Sequence, residues 1–426
     1  MTTSSRRPQR RVPVPGLTMT ASPTPRRAAL AFVFVTALLD VLALGIVIPV
    51  LPDLVKGFVG GDNARAAHMV GLFGTLFAAM QFLFSPLIGA LSDRFGRRPI
   101  LLVSCFGLGA DYLLMALAPT LSWLVVGRVL SGITAASFTT ASAYIADVTP
   151  AEKRAGAFGM LGAAFGLGFI VGPAAGGLLG GIEPRLPFWV AGGLSLLNAC
   201  YGLFVLPESL PADRRGAFSW RRANPLGAFA LLRGAPGLLG LGGIVWLYYL
   251  AHEVLNNTFV IYVNDRYGWG PETVGLTLAG VGVCSTVVQG GLVGRVVKRL
   301  GARRTMMVGL VAGAAGFTTF GASPVGAGLL CGIPLVALWG MVGPSAQSMM
   351  SAQVSATEQG LLQGTLVSIR GITGMIGPML FTSVLADSVG PFAMLPQGSP
   401  FMLAAVLLVA ALGLAFVVTR PQRAMA

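Results

Sequence analysis

This sequence has little charge: Asp, Glu, Lys and Arg are 10% of its 426 residues, where a soluble chain carries roughly 25%. Only 15 residues are acidic and two are histidine. An ordinary soluble domain is thereby excluded. The four cysteines, Cys105, Cys200, Cys284 and Cys331, are scattered without metal or redox spacing. Each reads as a small side chain in an apolar run. His68 and His252 form no zinc pattern. No GxxxxGK[ST] phosphate loop is present, so direct ATP drive is not expected. No stretch assembles a nucleophile, a base and oxyanion donors, so no enzyme is expected.

What is abundant is apolar. Hydrophobic residues are 54% of the chain, and the mean hydropathy is +0.78. Long apolar stretches imply membrane helices, which satisfy their own backbone polar groups. The net charge of +14 sits in short loops between these stretches. It therefore reads as a device of membrane orientation, and no nucleic-acid partner is expected.

Twelve spans are predicted, near 28–51, 68–91, 99–118, 121–146, 155–181, 187–206, 236–263, 273–297, 305–322, 325–354, 360–386 and 400–419. Each approaches the ~20 apolar residues that cross a bilayer. Residues 1–27, rich in Arg, Pro, Ser and Thr, read as a disordered tail. Met19 offers an alternative start, and a cleaved signal peptide is not expected, because the run that follows exceeds a signal h-region. The predicted fold is an all-α integral membrane protein with two six-helix halves, 28–206 and 235–420. A polar, Arg-rich linker at 207–234 joins them, and 421–426 form a tail. Of the 29 Lys and Arg, 23 fall on the side of the N-terminus, four on the other side and two inside apolar runs. That asymmetry predicts a cytoplasmic location for both termini and the linker.

The halves repeat. Gly89, Arg94 and Gly96 recur as Gly294, Arg299 and Gly301, and Gly172-Pro173 as Gly377-Pro378, all at an offset of 205. Repeated halves with a site between them are a transporter architecture. The second loop copy has Lys298 where the first has Asp93.

Charges inside spans are the functional candidates, because a charge in lipid costs several kcal/mol unless it is paired or faces water. They are Asp40, Asp111, Arg128, Glu253 and Arg370. Asp40 and Asp111 lie about twelve residues into their spans, roughly 18 Å at 1.5 Å per residue, and Arg128 falls near the same level. A carboxylate there answers to desolvation and to the guanidinium, in opposite directions. Asp40 is the expected proton carrier, tuned by Arg128, with Asp111 the alternate. A buried structural ion pair is the plainer account of the same residues. Gln289, Gln347, Asn256 and Asn257, with Glu253 and Arg370, are candidate cavity groups.

The loop at 89–98, GALSDRFGRR, carries Gly89, Asp93, Arg94, Gly96, Arg97 and Arg98 between two apolar runs. It resembles the signature loop of the major facilitator superfamily. With LLDVLALGIVIPVLPDL at 38–54, GADYLLMAL at 109–117, GRVLSGITAAS at 127–137 and GAAFGLGFIVGPAAGG at 162–177, the chain resembles the drug/proton antiporters of the tetracycline-efflux branch. RYGWG at 266–270 and EQGLLQGTLVSIRGITGMIGP at 358–378 extend the likeness. The 162–177 stretch matches the antiporter helix motif, including Gly168, Gly172, Pro173, Gly176 and Gly177.

The resemblance implies alternating access and export of a hydrophobic, polycyclic drug against inward proton flow. No cofactor is implied; the proton gradient drives the cycle, and a tetracycline would enter as a magnesium chelate. The implied setting is a bacterial-type inner membrane and the implied working unit a monomer. Arg97 is expected to pair with Asp147, and Asp93 to meet the N-terminal end of span eleven. The tetracycline pumps commonly carry a histidine in span eight and an aspartate in span nine; Ser285 and Gly313 stand there. A broader multidrug or metabolite exporter is thus the alternative, and a receptor or scaffold without transport is the reading from another class.

Overall fold

The computed structural model describes residues 23–135, 137–150, 153–215, 230–233, 236–355, 358–389 and 393–419. Residues 1–22, most of the linker and the tail beyond 419, all named above, lie outside the described residues.

The described chain is helical and contains no strand. The first half comprises α1 (Pro23–Val47), α2 (Leu51–Phe58), α3 (Asn63–Phe95), α4 (Arg97–Leu117), α5 (Leu121–Thr134), α6 (Ser137–Val148), α7 (Arg154–Ile182) and α8 (Leu186–Val205). A short α9 (Ala230–Arg233) precedes the second half. This comprises α10 (Pro236–Tyr267), α11 (Pro271–Val287), a π turn (Val288–Leu292), α12 (Val293–Ala322), α13 (Gly326–Trp339), α14 (Val342–Ser351), α15 (Gln359–Ala386) and α16 (Ser399–Val418).

Among the described residues nine helices are long and apolar enough to cross a membrane, or ten if α1 and α2 form one bent span. Two divisions bring the count to the expected twelve. The continuous run Pro271–Ala322 is split at Gly301, whose φ of 77° and ψ of 158° are not helical. Span four is the pair α5 and α6, each shorter than a full span.

The sequence missed these breaks. Span one turns by 41° between α1 and α2, and span ten divides at Gly340 into α13 and α14. The breaks follow the repeat. α5 is capped at Ala135 and α13 at Gly340, again 205 residues apart. Gly96, with φ 108° and ψ 160°, separates α3 from α4 as Gly301 divides α12. Only glycine adopts such a conformation without a Cβ clash.

Packing follows the repeat too. α1 lies on α7 and α4 on α8 in the first half; α10 lies on α15 and α12 on α16 in the second. The largest contacts between halves are α3 with α15 and α7 with α11, and α10 also meets α2 and α3. Large apolar side chains, among them Val103, Leu117, Leu197, Phe204, Val367 and Val406, stay exposed along the helices. That is the surface a bilayer covers.

The cross-half seam is closed at one face and open at the other. Opposite the 89–98 loop, a Cβ on Gly177 would lie 3.0 Å from the Gly275 Cα. Gly71 abuts Thr382, and a Cβ on Gly74 would lie 2.9 Å from Pro378 Cβ. Asn63 Nδ2 donates to Asp265 Oδ1 at 2.5 Å, and Lys56 Nζ to Asn264 Oδ1 at 3.3 Å. Toward the loop face the helices part. Gly156, Gly159 and Gly162 on α7, and Gly290 and Gly294 opposite, point into open space.

Within α7 two glycines thus have opposite surroundings. A Cβ on Gly172 would lie 2.8 Å from Gly45 Cα, whereas one on Gly162 meets nothing within 4 Å. Gly172→Leu should therefore lower stability by about 1–3 kcal/mol through overpacking, and Gly162→Leu should leave it nearly unchanged. Thermal unfolding of the purified variants in detergent checks this, and equal melting would contradict the asymmetry.

Candidate functional site

The loop end of the seam is built on Gly96. Its positive φ lets α4 start immediately after α3, which places Arg97 and Arg98 at the first turn of α4. Arg97 bonds Asp93 at 2.5 Å and Asp147 at 3.1 Å, and also donates to Ser92 Oγ at 3.2 Å. Arg98 Nη2 donates to the Leu203 carbonyl at 2.6 Å. Arg94 lies over the Phe95 ring at 5.3 Å, and a Cβ on Gly89 would meet nothing within 4 Å.

Asp93 does not meet the N-terminus of α15 in this structure. It turns to Arg97 because the two halves stand apart on this face. The start of α15 also carries its own carboxylate: Glu358 accepts from Ser355 N at 3.0 Å and Ser355 Oγ at 2.6 Å. Those bonds hold the Glu358 carboxyl below the usual range.

Glu208 escaped the sequence reading. Its Oε1 accepts from Arg97 N at 2.8 Å and its Oε2 from Arg98 N at 3.3 Å. A carboxylate there satisfies the free N–H groups of α4 and complements its positive end. A Cβ on residue 96 would collide with that carboxylate. Tyr144 Oη donates to Pro207 O at 3.0 Å, so the start of the linker is pinned to the loop. The available signal was an acidic residue just beyond an apolar run, among basic loops.

Deeper in the first half lie two polar centres. Arg128 on α5 bonds Asp111 on α4 at 2.5 Å. Asp111 is 0% and Arg128 8% exposed. The guanidinium also touches Met115 Sδ at 3.2 Å and lies 6.0 Å from the Phe77 ring centroid. Gly127 makes room, since a Cβ there would lie 2.5 Å from Asp111 Oδ1. Asp111 Oδ1 and Arg128 Nε have no hydrogen-bond partner among the described residues.

The second centre is Asp40. Its Oδ1 accepts from Asn198 Nδ2 at 3.2 Å, with Cys105 Sγ at 4.0 Å. Asn198 also donates to the Thr36 carbonyl at 3.4 Å. The expected Asp40–Arg128 partnership is therefore corrected: the guanidinium is taken by Asp111. The reason is helix packing, since α1 lies against α6, α7 and α8, whereas α5 lies against α3 and α4. Asn198 was visible as a lone amide in an apolar run but was not singled out.

The antiporter motif divides its glycines between two neighbours. Gly168, Gly172 and Gly176 meet α1 at Val41, Gly45 and Ile46, and Gly177 meets α11 across the seam. Pro173 serves both, its Cδ facing Gly45 and its carbonyl Gly275. Without side chains between them, these backbones touch directly, the packing that holds helices together in lipid.

The second half supplies an aromatic wall with polar groups. On α10, Tyr248 meets Tyr249 at 5.0 Å and Trp339 at 4.9 Å, and His252 stacks on Trp339 at 5.4 Å. Glu253 Oε2 accepts from Asn257 Nδ2 at 3.1 Å. Arg370 on α15 lies 5.9 Å from the Tyr249 ring centroid. Asn256 contacts His252 Nδ1 at 3.4 Å. Gln289 sits in the π turn and faces Gly340, where a Cβ would lie 3.6 Å from its Nε2. Single π turns inside helices often mark functional sites. Gln347 is set apart, bonded to Gln363 at 3.0 Å.

His252 and Trp339 were undervalued by sequence because their pairing joins residues 87 positions apart. Gly313 has a structural reason: a Cβ there would lie 2.6 Å from Trp339 Cδ1 and 2.8 Å from Leu408 Cδ1. A carboxylate at 313 and this indole cannot share the space.

Two repeated halves, parting along a seam that holds mid-span charges, define a multi-pass membrane transporter rather than an enzyme. The family model of the Major Facilitator Superfamily matches residues 33–378 and 241–425, and the chain belongs to that family. It is 39% identical over 360 residues to the Escherichia coli tetracycline resistance protein of class C, covering 84% of this chain and 90% of that protein. It is 35% identical to the Escherichia coli class B protein, covering 83% and 88%. Among solved structures, a bacterial homologue of the human lysosomal transporter Spinster, inward-facing and unoccupied, superposes with a TM-score of 0.75 at 18% identity. That match covers 94% of this chain and 98% of the other.

The buried pair gives a stability test. Asp111→Asn should destabilise by about 3–5 kcal/mol, because it strands a buried guanidinium. The double variant Asp111→Leu/Arg128→Met should recover most of that loss. Unfolding of the purified variants measures it; a double variant no better than Asp111→Asn would show that the pair's charge is not what matters.

Proposed function

We propose that this transporter exports a hydrophobic, polycyclic drug, of the tetracycline class first, in exchange for protons. The observation that carries the reading is the seam. One face is clamped by glycine contacts while the helices part toward the other, where Arg370 is exposed, the geometry of one state of an alternating-access cycle. The names of the resistance proteins supply the substrate class.

Asp40, Asp111 and Arg128 are the proposed coupling residues. Protons arriving from the closed face on opening would neutralise a carboxylate. Opening to the loop face would restore water, and the charge with it. Asp111 is the stronger carrier in this geometry, because its protonation directly releases Arg128. Asp40, bonded to Asn198, is the proposed partner that senses α8.

The loop face is proposed to be cytoplasmic, with both termini and the linker there, in a bacterial-type inner membrane. The working unit is proposed to be a monomer, its partners a small-molecule drug, protons and lipid. No cofactor is proposed; magnesium would come with a tetracycline as its chelate. The closed latch of Asp93 on α15 belongs to the opposite state, when the halves meet on this face.

A broader drug range is the second reading. It is favoured by Trp339 filling the space beside Gly313, which changes the pocket relative to the resembled pumps. Specificity lives in such a pocket, not in the fold.

Inverted vesicles with an imposed pH gradient provide the test. The wild type should take up tetracycline and release protons in step. Asp111→Asn should abolish the coupling, and Asp40→Asn should weaken it without abolishing it. Uncoupling by Asp40→Asn alone would reassign the carrier to α1. No proton-linked uptake of tetracycline or unrelated drugs by the wild type would overturn export.

Orientation has its own check. A single cysteine in the linker should resist impermeant thiol reagents in intact cells, and one in the 59–62 turn should react. Labelling of the linker from outside would invert the topology.

A further inference from the structure

The two halves hold their mid-span acid and base differently. In the first half, Asp111 and Arg128 are closed on one another at 2.5 Å and buried. In the second, no ion pair within 4.0 Å joins Glu253 to Arg370. The Arg370 side chain is exposed and lies 5.9 Å from the Tyr249 ring centroid, while its carbonyl accepts from Thr373 Oγ1 at 3.0 Å. A guanidinium about eleven residues into a membrane helix is tolerated only if it faces water or a ligand.

Its surroundings place it on the seam. The next residue, Gly371, abuts Phe82 of the first half, and a Cβ on Gly374 would lie 3.4 Å from Ala78 Cβ. Glu253 presses on Gly377 of the same α15, seven residues beyond Arg370. Acid and base are thus offset along the seam by up to two helical turns, roughly 10 Å. Tyr249 stands one turn before Glu253 on α10, and Tyr248 with Trp339 continues the wall behind it. Asn257 holds the Glu253 carboxylate from below, and its own Oδ1 would lie 2.6 Å from a Cβ on Gly74 across the seam.

We propose that Glu253 and Arg370, with the Tyr249 ring beside the guanidinium, form a subsite for amphoteric planar molecules. Such a molecule carries an ammonium at one end and an acidic group at the other. The carboxylate receives the ammonium, the guanidinium receives the acid with two parallel N–H bonds, and the ring system lies on the aromatic wall. A structural pair would have closed, as Asp111 and Arg128 have. This pair is not closed, and its guanidinium is exposed. The proposal rests on the export reading, for which it names the charge pattern of the cargo.

The test uses the full-length protein in detergent and three probes: norfloxacin, with an ammonium and a carboxylate; nalidixic acid, with the carboxylate alone; and ethidium, a planar cation. Equilibrium dialysis gives each affinity. The wild type should bind norfloxacin at least about tenfold more tightly than either singly charged probe, the effect of one extra charge-assisted bond. Glu253→Gln should bring norfloxacin down to the level of nalidixic acid and leave nalidixic acid unchanged. Arg370→Gln should weaken norfloxacin and nalidixic acid together and spare ethidium, and Arg370→Lys should restore part of the loss.

No norfloxacin preference in the wild type overturns the proposal, as does no binding of any probe. Parallel loss of all three probes in both variants does so too, because it marks a structural role. Proton-driven uptake of tetracycline without this charge pattern would sink the subsite and keep export. The charge pattern without any uptake would sink export and keep the subsite.

Discussion

Everything in this fold depends on backbones touching. In a bilayer the tails are as apolar as the side chains, so greasy surfaces gain nothing by meeting one another. What remains is close contact, and glycine provides it. Gly45 against Gly172, and Gly177 against Gly275, bring three helices from both halves to one line. Because that line sits near one face only, the halves are free to diverge toward the other. The parting of the halves toward the loop face is the geometric result of where the glycines stop meeting.

Charge is the second constraint, and the two halves meet it by different means. Asp111 and Arg128 neutralise each other in a dry setting, with Gly127 leaving the room. Asp40 leans on an amide and a thiol instead. At the loop face, Arg97 gathers Asp93 and Asp147, and Glu208 covers the N–H groups behind it. The positive end of α4 is thereby satisfied from within the first half, and Asp93 is available for exchange between partners.

Much of this architecture could be read from the residues. Apolar runs of about the right length placed the spans, and the 205-residue offset placed the halves. The offset was better than it looked, since it also relates the helix breaks at Ala135 and Gly340. Those breaks themselves were not legible, because glycine is so common here that no single one stands out. Partner choice was the other gap. Depth along a span follows from counting at 1.5 Å per residue, but the direction a side chain faces turns by about 100° at each step. Asp40 and Arg128 sit on helices whose packing gives them different neighbours, Asn198 and Asp111. Contacts such as His252 on Trp339, or Glu208 on Arg97, join distant positions and leave no local pattern to find.

The anchoring of Pro207 and Glu208 has a consequence for how the chain is divided. The residues that open the connection between halves are bonded to Tyr144 and to the first turn of α4. They belong with the first half. A gene interrupted after Arg215 would leave the amino-terminal product with its own cap and its own loop contacts complete. The two products would then have to find the interlocking glycine faces and the Lys56–Asn264 and Asn63–Asp265 bonds, and a bipartite form of this transporter is an assembly problem of surfaces, not of covalent continuity.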